Sequence, residues 1–202
     1  MPTYLFSMKK FALLFVLIPS LLFGQNEDLN QRINAFKNDL SAEYKIKTFN
    51  VGGERLGSIE YEESVFSTKF KLEKIEKQRD NLNRNVRFDI YMNIFEFADK
   101  DELNWIMKRW LKNFIDGNQI RPGRDSRNVP HANPSIIIIE GNSISILNQP
   151  CTQFEAIQYR EWRSRMLTYF GSPSSIVIEI GGCEGPLSWT KNSPDPRDRT
   201  WK

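Results

Sequence analysis

Apolar residues recur along this chain at two spacings, and each spacing predicts a kind of element. From Asn26 the run "NEDLNQRINAFKNDLSAEY" sets Leu29, Ile33, Phe36 and Leu40 three and four residues apart with polar residues between them. That spacing predicts a short amphipathic helix. Next, "YKIKTFNVGGERLGSIEYEE" alternates and turns at Gly52-Gly53, which can supply the positive φ of a hairpin. Phe66, Thr68, Phe70 and Leu72 then alternate with Ser67, Lys69, Lys71 and Glu73. A period of two predicts a strand with one buried and one wet face. Glu76 to Asn85, "EKQRDNLNRN", has almost no apolar content and reads as a connector.

Alternation resumes at Arg87 to Phe97, with Phe88, Ile90, Met92 and Ile94 on one side. Asp99 and Glu102 have the spacing of a capping box, which satisfies free N–H groups at a helix start. Leu103, Ile106, Met107, Trp110, Leu111 and Phe114 follow as one helical stripe, closed by Gly117, and Trp105 stands off that stripe. A loop rich in Arg, Asn, Gly and Pro, 118–134, leads to "SIIIIEGNSISIL", two β-branched runs joined at Gly141-Asn142. That junction is a tight-hairpin signal. Thr152 with Glu155 suggests a second capping box, for a helix carrying Phe154, Ile157, Trp162, Met166 and Tyr169 up to Gly171, and Ser175 to Ile180 forms the last strand.

Residues 85–183 therefore spell strand, helix, strand, strand, helix, strand. The expectation is an α+β fold with an antiparallel sheet and helices packed on one face, ferredoxin-like (split βαβ) in 85–183, with the N-terminal helix and strands added. The alternatives are a different α+β meander, or a separate layer formed by the earlier strands.

The first residues bear on compartment. From Met8, "MKKFALLFVLIPSLLFGQ" has two lysines, an apolar core of about 13 residues and a small residue before polar sequence begins. This is the pattern of a secretory signal peptide over 1–25 with its start at Met8; the competing reading is a retained anchor. The core is shorter than the roughly 20 residues that cross a bilayer as a helix. The expectation is an exported protein, periplasmic or extracellular, with no transmembrane span in its mature form. A single domain over 26–189 and a polar tail over 190–202 would follow. Removing Lys9 and Lys10 takes the formal net charge from +3 to about +1. That balance gives no reason to invoke nucleic acid or an anionic membrane as partner.

Cys151 and Cys183 are the two cysteines. In a split βαβ unit the strands before them are parallel, separated by one strand, and end at the same edge. Two strand spacings are about 9.6 Å, whereas a disulfide wants Cα atoms about 4.4–6.8 Å apart, so the residues after each strand must bend together. An exported chain with two cysteines usually pairs them. The other readings are a free buried thiol and a nucleophile. A nucleophile needs a base, and the one histidine, His131, sits in an irregular loop with nothing in its spacing tying it to Cys183. No cofactor and no metal are expected, since two cysteines and one histidine leave a tetrahedral site short of a ligand. "NVGGERLG" and "GGCEGP" lack the spacing and the lysine of a phosphate loop and read as turns.

The remaining surface signal is basic. Lys108, Arg109 and Lys112 on the first long helix are followed by Arg121, Arg124 and Arg127, and Arg160, Arg163 and Arg165 lie on the second. With the two helices side by side, Arg109, Arg121, Arg124, Arg127 and Arg163 could bind an anionic ligand. The other reading is a solvated helix face and loop. Carboxylate pairs such as Glu62-Glu63 and Asp99-Asp101 carry no spacing that marks a catalytic pair. The expected role is a non-catalytic binding or interaction module of the cell envelope, for an anionic small molecule, a glycan or an envelope protein. The alternative is a small secreted hydrolase or transferase using carboxylates or Cys183.

Overall fold

In the computed structural model the described residues are 28–48, 64–80, 82–107 and 133–189. The leading segment, the Gly52-Gly53 turn, the apolar stripe past Met107, Gly117, the Arg/Pro loop up to 132 and the tail 190–202 lie outside them. The elements are α1 (28–40), β1 (Tyr44–Thr48), β2 (Phe66–Arg79), β3 (Asn85–Glu96), α2 (100–107), β4 (Ser135–Glu140), β5 (Ser143–Asn148), α3 (Ala156–Phe170), β6 (Ile176–Ile180) and β7 (Leu187–Trp189). The strands form one antiparallel sheet in the order β1-β2-β3-β5-β4-β6-β7. The fold is α+β.

Three of the four strands expected to be ferredoxin-like are arranged as that unit requires. β3 pairs β5, and β5 pairs β4, both antiparallel. The last strand departs from it: β6 pairs β4 instead of β3. The reason is that β2 already pairs β3 along eleven positions, Phe66↔Glu96 to Arg79↔Asn85, and so fills the edge that β6 would have taken.

That long pairing also corrects the connector expected at Glu76 to Asn85. The segment is strand as far as Arg79, with a register shift between Glu73 and Lys77. The reversal at 80–84 is built on Asp80. Its carboxylate accepts the Leu82 and Arg84 N–H groups at 3.0 and 2.8 Å and binds the Arg84 guanidinium at 2.7 Å, while Asn83 takes φ 60. Asn and Asp are the residues that support such a turn.

A second correction concerns layers. α1 and α3 pack with Phe70, Leu72, Ile90, Met92, Ile94, Ile136, Ile138 and Leu147 on one face of the sheet. α2 packs with Phe95, Ile137, Ile139, Ile144, Ile146, Ile178 and Ile180 on the other. Helices therefore cover both faces, not one. The cause is written in β4: Ile136 to Ile139 are all buried, and alternate side chains point to opposite faces. A strand apolar on both sides has to be covered on both.

Locally, three expectations hold and one does not. α1 buries Leu29, Ile33, Phe36 and Leu40, as its spacing requires. The β4–β5 hairpin closes through Gly141 at φ 58 and Asn142, with Glu140 opposite Ser143. Asp99 Oδ1 accepts the Glu102 N–H at 2.8 Å, and Glu102 Oε2 accepts the Ala98 N–H at 2.9 Å, which caps α2. By contrast Thr152 and Glu155 make no capping box. Cys151–Gln153 is a separate 3-10 turn, and Glu155 is the N-cap of α3 without a side-chain bond. The buried stripe of α3 is Tyr159, Trp162, Met166 and Phe170, and Ile157 is exposed.

Candidate functional site

The two cysteines meet at one end of the sheet. β5 and β6 are parallel with β4 between them. Their exits are two strand spacings apart, and the middle strand differs from the one expected. Cys151 opens the turn after β5. "GGCEGP" does not end the sheet, because β7 follows and pairs β6, with Ile178 opposite Trp189. The stretch is a hairpin turn: the Gly185 N–H donates to Gly182 O at 3.1 Å and the Gly181 N–H to Pro186 O at 3.0 Å. Glu184, third in the turn, takes φ 52, as the third residue of a type II turn must. A Cβ on Gly185 would lie 2.6 Å from Gly182 N. This bend carries the Cys183 Sγ to 3.3 Å from Cys151 O, to which it donates. Both cysteines are thiols here, Cys151 half-buried and Cys183 exposed.

The basic surface expected from the two helices is only partly described. Arg109, Arg121, Arg124 and Arg127 lie outside the described residues, as do His131 and Glu62-Glu63. Arg163 is described, and its Nε meets Glu179 Oε1 at 2.9 Å. Arg165 pairs with Glu43 at 3.1 Å. α2 and α3 sit on opposite faces of the sheet, so the premise that they stand side by side fails. Asp99 is occupied as the cap of α2.

A different polar cluster is one that reading the sequence passed over. On the α2 face, Ile144 and Ile146 of β5, Ile137 and Ile139 of β4, and Ile178 and Ile180 of β6 share one apolar core with the helix. Toward β3 and β2 the same rows change character. Asn93 stands opposite Ile146, and Tyr91 opposite Asn148, which in turn faces Ser135. Asn93, Asn148 and Ser135 are 4%, 2% and 1% exposed. Asn93 Oδ1 and Asn148 Nδ2 are buried without a hydrogen-bond partner.

Ser135 decides nothing in their favour. Its Oγ lies 2.8 Å from Asn133 O and 2.7 Å from Asn148 Oδ1, yet a hydroxyl has one proton to donate. If that proton goes to Asn133 O, the Asn148 amide turns so that Nδ2 donates to Ser135 Oγ, and Oδ1 becomes the unpaired atom. In either arrangement one end of the Asn148 amide is left over.

Beside these amides the face is charged. Lys71 Nζ lies 2.6 Å from Asp89 Oδ2 and 3.7 Å from Glu73 Oε2, and Lys47 reaches Glu73 at 3.1 Å. The Lys71 ammonium is 5.8 Å from the Tyr91 ring centroid. Burial opposes the charge on Lys71, but the Asp89 hydrogen bond and the neighbouring acids outweigh it and hold its pKa above the ordinary value. The Lys47 hydrogen bond, against a smaller effect of burial, holds the Glu73 carboxyl below its ordinary value. The signal for this cluster was present in the alternation of β3, which puts Asp89, Tyr91 and Asn93 on one side. It went unread because the opposite side, Phe88 to Ile94, is the apolar one.

Among the described residues, no group of three or more His, Cys, Asp or Glu side chains is placed to hold a metal ion. No helix among them is long and apolar enough to cross a membrane. Compared with protein-family models, with curated proteins and with solved structures, the chain matches none.

Proposed function

We propose that this chain is an exported binding module of the cell envelope, and that it takes its ligand on the polar half of the sheet. The observation that supports this most is the pair of buried amides, Asn93 and Asn148, each with an atom unpartnered. A buried polar atom without a partner costs about 1–3 kcal/mol, and an apolar residue of similar shape would avoid that cost. Polar groups kept at such a cost beside the isoleucines of β4 and β5 fit a surface that hydrogen-bonds something outside the chain.

Export is supported by the leading segment from Met8 and by the two cysteines placed at one corner, which in an oxidising compartment would join as a disulfide. The rival reading, Cys183 as nucleophile, has less support. Its thiol donates to a carbonyl oxygen, and a carbonyl cannot act as the base that a nucleophilic thiol needs.

Two measurements test the proposal. Expressed from Met8 in a bacterium, the protein should be recovered from the periplasm with its new N-terminus close to Gln25; a product that keeps Phe11 to Phe23 would overturn export. The purified protein should co-sediment with isolated envelopes. Full recovery in the supernatant would overturn the binding role.

A further inference from the structure

We infer that the polar half of the sheet binds an acidic saccharide, a chain of sugar units bearing carboxylates. This rests on the binding role proposed above and specifies its ligand. The site would be the patch formed by Lys71, Asp89, Tyr91, Asn93, Asn148 and Ser135. The register places them on one face of β2, β3, β5 and β4, in adjacent rows.

Three observations select this class of ligand. First, each sugar hydroxyl is both donor and acceptor, and a planar amide offers both from one group. Asn93 and Asn148 are diagonal neighbours across the β3–β5 pair, close enough for adjacent hydroxyls to span. Their unpartnered atoms lie in residues more than nine-tenths buried. Second, Tyr91 lies between Lys71 and Asn148 in the same row. A tyrosine ring gives an apolar surface with a polar tip, which suits the C–H face and the hydroxyl rim of a sugar ring. Third, the charge on this face is predominantly positive. Lys45, Lys47, Lys69 and Lys71 alternate with residues of the α1 face on β1 and β2, and are opposed by Glu73 and Asp89. Lysines are compact point charges that attract any anion, and a spread of them fits carboxylates repeated along a polymer.

The floor and the rim differ in burial. Asn93 and Asn148 are the floor, whereas Lys69, Lys71, Asp89 and Tyr91 are half-buried around it.

The test is electrophoresis of the purified protein through native gels containing alginate or, separately, neutral dextran, with urea unfolding of each variant alongside. Alginate should retard the protein and dextran should retard it much less. Asn93→Leu and Asn148→Leu should each weaken the alginate effect about tenfold, the equivalent of one buried hydrogen bond. Their unfolding midpoints should stay level or rise, because each leucine removes a buried amide atom that has no partner. Tyr91→Ser, at the rim, should weaken retardation as well, and it serves if either leucine variant fails to fold. Retardation unchanged in all three variants would assign the effect to scattered lysines and overturn the site. Equal retardation by dextran would overturn the acidic ligand. Absence of retardation in alginate with co-sedimentation intact would overturn this inference alone, whereas loss of both would overturn the binding role beneath it.

Discussion

At the turn between β6 and β7, Glu184 holds φ 52 although it is not glycine. The left-handed region costs an L-residue with a Cβ about 1–2 kcal/mol. Part of that is recovered on changing to glycine, whose extra freedom in the unfolded chain offsets the rest. Glu184→Gly should therefore raise the urea midpoint by the equivalent of about 0.5–1 kcal/mol with an unchanged slope. Its neighbour behaves oppositely: Gly185→Ala would set a Cβ 2.6 Å from Gly182 N and should lower the midpoint. Glu96 makes the second residue-scale case. It is 3% exposed at the end of β3, and burial raises its carboxyl pKa against the opposing pull of an Asn142 hydrogen bond and of Arg32. A carboxyl raised in the folded state favours folding when protonated. That contribution is complete below the unfolded value of about 4.3 and is lost as pH rises through the folded value. Glu96→Gln should thus be more stable than the parent at pH 8, with the difference closing near pH 4; midpoints that differ equally at both would refute this. Neither residue could be picked out of the sequence, because a left-handed Glu and a buried Glu look like any other. Gly141 and the Asp99–Glu102 cap were legible, since their residue types fit one backbone geometry.

Among the elements, the cysteine corner carries the clearest prediction. The turn after β5 and the β6–β7 hairpin would be clipped together by a Cys151–Cys183 bond closing a loop of about 33 residues, worth about 3.7 kcal/mol in the chain-entropy account. Unreduced protein from the periplasm should show no thiol on titration and should melt at a lower temperature after dithiothreitol. Two reactive thiols in the native protein would refute the bond. The inference that the cysteines meet came through a wrong strand order, and it survived because both arrangements place one strand between β5 and β6. Other elements were read less well for a physical reason. The second half of β2, from Lys74 to Arg79, carries exposed or half-exposed side chains on both faces. Without burial it has no period-two pattern, and backbone pairing makes it strand, to β1 at Lys74 and to β3 from Lys77 to Arg79. The start of α3 misled in the other direction: Thr152 and Glu155 had the spacing of a cap, but Pro150 and the 3-10 turn at Cys151–Gln153 delay the helix to Ala156.

For the molecule as a whole, the layer arrangement decides which substitutions can influence one another. The four consecutive isoleucines of β4 were the visible sign that both faces are covered, and the strand order was hidden because nothing local announces which edge of β3 is taken. A sheet with separate cores on its two faces makes a thermodynamic prediction that a one-faced sheet does not. Phe36 and Phe170, from α1 and α3, have ring centroids 5.1 Å apart in one core, while Ile178 belongs to the other. Residues in contact relax into each other's space, so the cost of changing both departs from the sum; residues without shared partners add within about 0.3–0.5 kcal/mol. In urea unfolding, Phe36→Leu with Phe170→Leu should therefore show a coupling energy of at least about 0.5 kcal/mol. Phe36→Leu with Ile178→Val should be additive, and both double variants should unfold in a single transition, because the sheet belongs to both cores. A coupling across the sheet as large as that within one face would contradict the two-core arrangement. Two separate transitions would show that the sheet does not transmit stability from one face to the other.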